Sequence, residues 1–523
     1  MTGHDDELAP ILPEDDDAEA ATGSAFWADT EDDLADGSGD DLAGAAGASG
    51  EEALEAPVET AEDTAALARV YSALLARAGE TQVELRLDAT RRACELLGDI
   101  HTAAPAIMVT GTNGKTSTVR MVDTLLSAHN LRVGRFTSPH LNRVTERIGV
   151  DGDDVSAAAF ARVYDEIEPY LQMIDAALAD ERRPGLTFFE ALTVLALAVF
   201  ADAPVDVMVL EVGMGGEWDS TNVVDARVCG FTAVGLDHQA YLGDTTEEIA
   251  RTKAGILDRS VDPSPEPEPL AIIADQPADG VLAVLADEVS RRDVRAWTEG
   301  QGYGVVDRTL AVDGQMVSLR GIGGDYPELF LPLHGAHQAH NAATAVALAE
   351  AFLTGGERPL AEDTVGEAFA AMTSPGRLEV LKAEPTILVD GAHNPDGARA
   401  LAEAMDEAFD LTDVTAVLGM FADKDPHGVL EHVHRFADRV IVTQTLSDRA
   451  MDPEDLAAAA AEWFDEDDVM IRPTVKDALM TALDLADTAE ASAGERARAG
   501  IAVTGSLLTA AEARVLLGRG GIA

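Results

Sequence analysis

The sequence predicts an α/β fold built from a larger N-terminal domain and a smaller C-terminal one. Three observations carry that reading. From residue 64 onward, short apolar strand-like runs alternate with helix-periodic stretches, the pattern of a mostly parallel sheet with helices on its faces. One of those strands runs directly into a glycine-rich turn and a helix. A break at Gly355, Gly356 and Pro359 leads to Pro375-Gly376, after which strands and helices alternate again. The expected division is a tail over 1–63, a first domain over 64–370 and a second over 371–523.

Each element follows from local chemistry. Residues 1–63 hold 21 acidic residues, no Lys or Arg and few large apolar side chains. Such a segment cannot bury enough surface to offset its ordering entropy, so a disordered acidic tail is expected. Leu67, Val70, Leu74 and Leu75 then repeat at helical spacing, and the helix is expected from Thr64. Ala106–Val109 reads as a strand and Thr116–His129 as the helix after it. The strip from Ala191 to Phe200 is too short to span a bilayer and reads as a buried helix. Val205–Leu210 and Phe231–Val234 read as further strands. Prolines at 263, 265, 267 and 269 make 258–269 a surface loop. In the second domain, strands are expected at Thr386–Val389, Val414–Leu418, Val440–Thr443 and Ile501–Val503.

Charge narrows the function. Asp and Glu total 95 against 37 Lys and Arg, a net charge of −58. That excludes binding to nucleic-acid backbones and to anionic membrane surfaces, both of which need clustered cations. Two cysteines make no disulfide framework, and no basic-then-apolar leader is visible. A cytoplasmic, monomeric enzyme is the expectation. Only five lysines occur, at 115, 253, 382, 424 and 476. In so lysine-poor a chain each one is informative.

Gly111-Thr112-Asn113-Gly114-Lys115-Thr116-Ser117 lies between a strand and a helix, the setting of a phosphate loop. Its glycines let backbone N–H groups approach phosphate oxygens, and the helix dipole adds attraction. Lys115 would meet the β- and γ-phosphates, and Thr116 or Ser117 could offer a hydroxyl to Mg²⁺. Val109 stands where the standard motif begins with Gly, so the loop is a shorter variant. Glu211 ends a strand beside three glycines, a position suited to Mg²⁺. Asp237-His238 also follows a strand, although imidazole is an unusual Mg²⁺ ligand. Lys253 is either a helix-surface lysine or one kept partly neutral and able to carry a CO₂ adduct. Asp390 ends a strand of the second domain, and Arg377 is a candidate phosphate clamp.

Taken in order, these segments resemble the folylpolyglutamate synthase/dihydrofolate synthase family, a branch of the Mur ligases. The resemblance covers about residues 64–520. It rests on Gly111–Thr116, Thr137-Ser138-Pro139-His140-Leu141, Glu211–Gly216, Trp218–Asn222, Asp237-His238 and Lys253–Ile256. It continues through His337-Gln338 with Asn341, Pro375–Arg377, Asp390–Pro395, Asp423-Lys424-Asp425 and Thr504-Gly505-Ser506. It implies a Mur-ligase-like central domain containing the phosphate loop and a Rossmann-like glutamate-ligase domain. The implied reaction is ATP-dependent addition of L-glutamate to folate, and to dihydropteroate as well, through an acyl phosphate.

The resemblance implies site residues too. Lys115, Lys253 and His393 would be catalytic. Gly111 to Ser117, Asn341, Arg377 and Asp390 would bind nucleotide. Ser138, Glu211, His238 and Lys253 would hold two Mg²⁺ ions, Lys253 as its carbamate. Leu186, Thr187, Phe188, Phe189, Trp218, Asp219 and Ser220 would form the pterin pocket, whose aromatics suit stacking on a flat ring. Glu217, Thr252 and Thr116 depart from the family's usual Arg, Glu and Gly. Two other readings are a cell-wall Mur ligase and a nucleotide-binding regulator without ligase chemistry. The first is disfavoured because no N-terminal domain for a UDP sugar is visible.

Overall fold

A computed structural model describes residues 59–79, 84–258, 269–493 and 498–519. Its first helix, Ala61–Leu75, is set by a capping box. Asp63 N–H donates to Thr60 Oγ1 at 3.2 Å, and Thr60 N–H donates to Asp63 Oδ2 at 2.9 Å. These bonds satisfy donors that helix starts leave orphaned. Glu59–Asp63, expected within the tail, therefore belong to the folded body, and the helix starts three residues before Thr64. The rest of the expected tail, 1–58, lies outside the described residues.

The first sheet has eight strands. They are β1 (Ala106–Thr110), β2 (Val133–Phe136), β3 (Ile148–Val150), β4 (Asp153–Asp154), β5 (Val207–Glu211), β6 (Ala226–Phe231), β7 (Leu270–Ile273) and β8 (Arg295–Thr298). Their spatial order is β4-β3-β2-β5-β1-β6-β7-β8. From β2 to β8 every pairing is parallel; β3 and β4 add an antiparallel edge.

Side chains alternate across this sheet, and each face has its own core. Ala106 and Met108 of β1 join the core with helices Ala61–Leu75, Ala157–Asp180 and Phe188–Asp202. Ile107 and Val109 face the opposite core, with helices Lys115–Ala128, Ala336–Thr354 and Glu362–Ala370. A strand buried on both faces reads as a continuous apolar run, which is why β1 was legible. Helix Phe188–Asp202 is buried almost all round, as its apolar strip predicts.

Two expected strands are displaced: Val205–Leu210 runs instead from Val207 to Glu211 as β5, and β6 lies N-terminal to its expected place. Phe231–Val234 is not a strand; β6 runs from Ala226 and ends at Phe231. Arg227 and Gly230 interrupt the apolar run and hide its start. Arg227 is accommodated because its guanidinium lies over the Phe352 ring, 5.2 Å from the centroid.

A three-stranded antiparallel meander follows, β9 (Gly304–Ala311), β10 (Gly314–Arg320) and β11 (Asp325–Leu331). Buried Glu350 of helix Ala336–Thr354 holds its second turn, accepting from Ile322 N–H at 2.6 Å and Tyr326 O–H at 2.6 Å. The helix ends at Thr354 with Gly355 left-handed, at the expected break.

The second domain's sheet comprises β12 (Glu379–Ala383), β13 (Thr386–Val389), β14 (Asp413–Leu418), β15 (Arg439–Val442), β16 (Val469–Ile471) and β17 (Ala499–Thr504). Its order is β12-β13-β17-β14-β15-β16, parallel apart from the β12–β13 hairpin. Ligands of such open sheets bind beyond the carboxyl ends of the strands. Asp390, Gly419, Thr443 and Gly505 all lie just past those ends.

Candidate active site

The site forms where β1, β5 and β6 end. Thr110, the last residue of β1, donates from Oγ1 to the Gly215 carbonyl at 2.8 Å. The phosphate loop then turns against the chain leaving β6. Thr112 and Asn113 N–H both donate to the Ala233 carbonyl, at 2.8 and 3.2 Å. Two glycines make this geometry. Gly111 has φ +154°, and a Cβ there would overlap the Thr232 hydroxyl. Gly114 is left-handed at φ +87°, and a Cβ there would stand 2.5 Å from Asn341 Oδ1. Helix Lys115–Ala128 begins with no side-chain cap, so its first N–H groups remain available to an anion.

Lys115 and Lys253 converge on that loop. Lys115 Nζ donates to the carbonyls of Gly111 and Thr112 at 3.1 and 3.0 Å. Lys253 Nζ, from the helix Thr246–Lys253, donates to the same Gly111 carbonyl at 2.7 Å. Burial pushes the Lys115 ammonium below its ordinary range. Burial first, and the Lys115 charge second, bring Lys253 down to about 7. The helix-surface alternative for Lys253 is thereby corrected, since its side chain is buried rather than solvated.

Glu211 closes the loop from β5. One carboxylate oxygen accepts from Thr116 Oγ1 at 2.9 Å and the other from Ser138 N–H at 3.1 Å. Burial raises its pKa. A buried carboxylate flanked by hydroxyl-bearing residues fits Mg²⁺, which takes few protein oxygens and completes its shell with phosphate and water. Among the described residues no group of three His, Cys, Asp or Glu side chains could hold a metal by itself. Glu211, with Ser138 and Thr116 beside it, offers oxygen donors that fit such an ion. The loop carrying Ser138 is held by Glu146, whose carboxylate accepts the N–H groups of Leu141, Asn142 and Arg143 at 2.7 to 2.9 Å.

Asp237, past β6, is the point where the second domain enters. Lys424 Nζ lies 2.6 Å from its carboxylate and His393 Nε2 lies 3.5 Å away. Burial opposes its charge. The His393 hydrogen bond and the nearby charges of His238 and Lys424 outweigh this and hold the carboxyl well below its usual range. His393 Nδ1 donates to the Gly391 carbonyl at 2.9 Å, which orients the ring. His238 is exposed and left-handed at φ 50°, although the protein packed around its ring desolvates it enough to pull it down to about 4. Asp390 is half-buried and accepts Leu378 and Ala392 N–H, both at 2.8 Å. Its burial raises its pKa, against the pull of the Arg377 charge. Ser117 Oγ lies 2.8 Å from Ser374 Oγ, and Asn341 donates to Gln338 Oε1 at 3.1 Å.

The expected pterin residues divide into two groups. Leu186, Thr187 and Phe188 are buried, and Thr187 caps helix Phe188–Asp202. Ser220 Oγ is buried 2.7 Å from Thr193 Oγ1. Asp219 uses both oxygens on the adjacent turn, accepting Met214 N–H at 2.9 Å and Thr221 Oγ1 at 2.6 Å. These residues brace the loops. Phe189 and Trp218 are partly exposed and pack against Gly213 and Gly215 of the loop after Glu211. Sequence reasoning missed Arg86. It forms a buried two-pronged pair with Glu190, at 2.8 Å to each oxygen, and donates to the carbonyls of Pro184 and Gly185. Nothing in its local sequence marks it. Lys424 had a signal, as one of the five lysines.

Comparison with known proteins shows the family. Residues 109–349 match the Mur ligase middle domain, and residues 376–497 the Mur ligase glutamate ligase domain. The fold and site thus define an ATP-dependent ligase of the Mur type. A Mycobacterium tuberculosis dihydrofolate synthase/folylpolyglutamate synthase is 44% identical over 470 residues, covering 88% of this chain and 96% of the relative. Crystal structures of Mycobacterium tuberculosis folylpolyglutamate synthase complexed with ADP and AMPPCP superpose with a TM-score of 0.82 at 43% identity, covering 88% of this chain and 99% of theirs. E. coli FolC in complex with DHPP and ADP gives 0.72 at 29% identity, covering 86% and 97%. The chain belongs to the dihydrofolate synthase/folylpolyglutamate synthase family. No helix among the described residues is long and apolar enough to cross a membrane.

Proposed function

We propose that this chain uses ATP to join L-glutamate to the terminal carboxylate of a reduced folate, and that it also acts on dihydropteroate. The acceptor carboxylate attacks the γ-phosphorus, ADP leaves, and an acyl phosphate results. The glutamate amine then attacks the acyl carbon, loses a proton and expels phosphate.

One observation carries this reading: Lys115 and Lys253 meet at one loop carbonyl beside an uncapped helix N-terminus. An incoming triphosphate is a stronger acceptor than two carbonyls, so Lys115 would turn from Gly111 and Thr112 to phosphate oxygens. The helix N–H groups would hold the same anion, and Asn341, Arg377 and Asp390 the rest of the nucleotide. His393 would face the phosphates from the second domain, oriented by Gly391. Mg²⁺, when bound by Ser138, Glu211 and His238, supplies positive charge against the phosphates. Lys253, with a substantial neutral fraction near pH 7, can add CO₂ as a carbamate with loss of one proton, and so offer oxygens to a second ion. Phe189 and Trp218 would flank the flat pterin ring.

The test is product analysis. Purified protein with ATP, Mg²⁺ and L-glutamate is given dihydropteroate or a tetrahydrofolate, and the products are identified by mass spectrometry. One added glutamyl residue on each acceptor is expected. Addition to only one assigns a single activity, and addition to neither overturns the proposal.

A further inference from the structure

Two side-chain amides meet between the phosphate loop and the second domain. Asn113 Nδ2 donates to Asn394 Oδ1, and Asn394 Nδ2 donates to Asn113 Oδ1, both at 3.2 Å. Asn394 is also the N-cap of helix Pro395–Ala408, where its Oδ1 accepts Gly397 N–H at 2.8 Å. That cap fixes Oδ1 as an acceptor, so Nδ2 must be the donor facing Asn113. The orientation of Asn113 follows, and neither amide can turn without losing a bond.

Further contacts join the same surfaces, among them Lys424 and His393 to Asp237 at 2.6 and 3.5 Å and Ser117 to Ser374 at 2.8 Å. Of these, the asparagine pair is the one that starts from the turn of the loop itself, whereas Ser117 already lies in helix Lys115–Ala128. Asn113 is flanked by Thr112, whose carbonyl accepts Lys115, and by left-handed Gly114. Movement of the second domain therefore pulls on the segment that would cradle the phosphates. Asn394 likewise follows His393 directly, so one helix start carries both the phosphate-facing imidazole and the loop contact.

We infer that the Asn113–Asn394 pair positions the second domain shut over the phosphate loop during turnover and so keeps water from the acyl phosphate, an inference that rests on the function proposed above. Were water admitted, its oxygen would bond to the acyl carbon and the bond to the phosphate oxygen would break. The carboxylate would be restored, with inorganic phosphate and a proton released. ATP would then be consumed without an amide being formed.

The experiment reads ADP released per amide formed. Asn394→Ser keeps an N-cap oxygen but is too short to reach Asn113. Asn113→Ser shortens the pair from the other side. Wild type is expected to release equal amounts of ADP and amide. Each serine variant is expected to raise the ratio roughly five- to a hundredfold, the scale of losing two neutral hydrogen bonds. The double variant is expected to rise no further than the larger single, because both remove the same contact. If Asn394→Ser does not fold, Asn394→Asp retains the cap and loses the donor, and a smaller rise is expected. An unchanged ratio in a folded Asn394 variant, or a double effect equal to the product of the singles, overturns the inference while leaving the proposed function standing. Absence of glutamate-dependent ADP release in wild type would instead overturn both.

Discussion

Lys115 and Lys253 donate to one and the same carbonyl oxygen, that of Gly111, from 3.1 and 2.7 Å. Two ammonium groups so placed repel each other, and burial removes the water that would screen them. An incoming anion relieves both costs. Lys115→Ala is therefore expected to lower kcat by about 10³-fold, the scale of removing one donor aimed at developing charge. Lys115→Arg is not expected to rescue it, because a planar guanidinium cannot replace a compact ammonium between two carbonyls. Steady-state ADP release, with unfolding curves showing that both variants fold, checks this.

Arg86 and Glu190 hold the turn before helix Phe188–Asp202. Both are buried, and Glu190 also accepts Thr187 N–H at 2.8 Å. Removing one partner strands a charge in the interior. Arg86→Ala is expected to cost about 3–5 kcal/mol, measured by urea unfolding. Replacing both by Arg86→Met with Glu190→Leu should cost clearly less.

Glu512 gives a pH dependence. Burial raises its pKa to about 7, and its one described contact, from Leu446 N–H at 3.4 Å, only partly offsets that. The folded pKa lies above the ordinary carboxylate value. Its contribution is therefore intact at low pH and is lost as pH rises from about 4.5 through 7. Glu512→Gln should match wild type near pH 4 and exceed it by about 1–3 kcal/mol at pH 8. A constant difference across that range would contradict the assignment.

The acidic surface predicts salt dependence. With a net charge of −58, compact folding works against self-repulsion. At about 1 M salt the screening length falls to ~3 Å. The unfolding midpoint in KCl should therefore rise steadily from low salt to that range, and a flat profile would show that local ion pairs already balance the charge.

Local chemistry made much of the fold legible. The Thr386–Val389 strand stands where its apolar run placed it, and helix Lys115–Ala128 begins one residue before its expected start. β6 was misplaced because Arg227 sits inside a central strand, half-buried with its guanidinium over the Phe352 ring. The meander β9–β11 was missed because β9 is mostly exposed and carries apolar Val306 and Leu310 on the solvent side, which blurs the alternation. The glycine-rich turn was visible because glycine spacing, strand and helix are contiguous. The contacts of Asp237 with Lys424 and of Asn113 with Asn394 span 187 and 281 residues. No short-range pattern encodes them; only the packing of two domains brings these residues together.

The most direct test is ADP release by the purified protein with ATP, Mg²⁺ and a reduced folate, with and without L-glutamate. Release that rises many-fold on adding glutamate, and that falls by about 10³-fold in Lys115→Ala, is the predicted result. Release indifferent to glutamate would contradict ligase chemistry at this site.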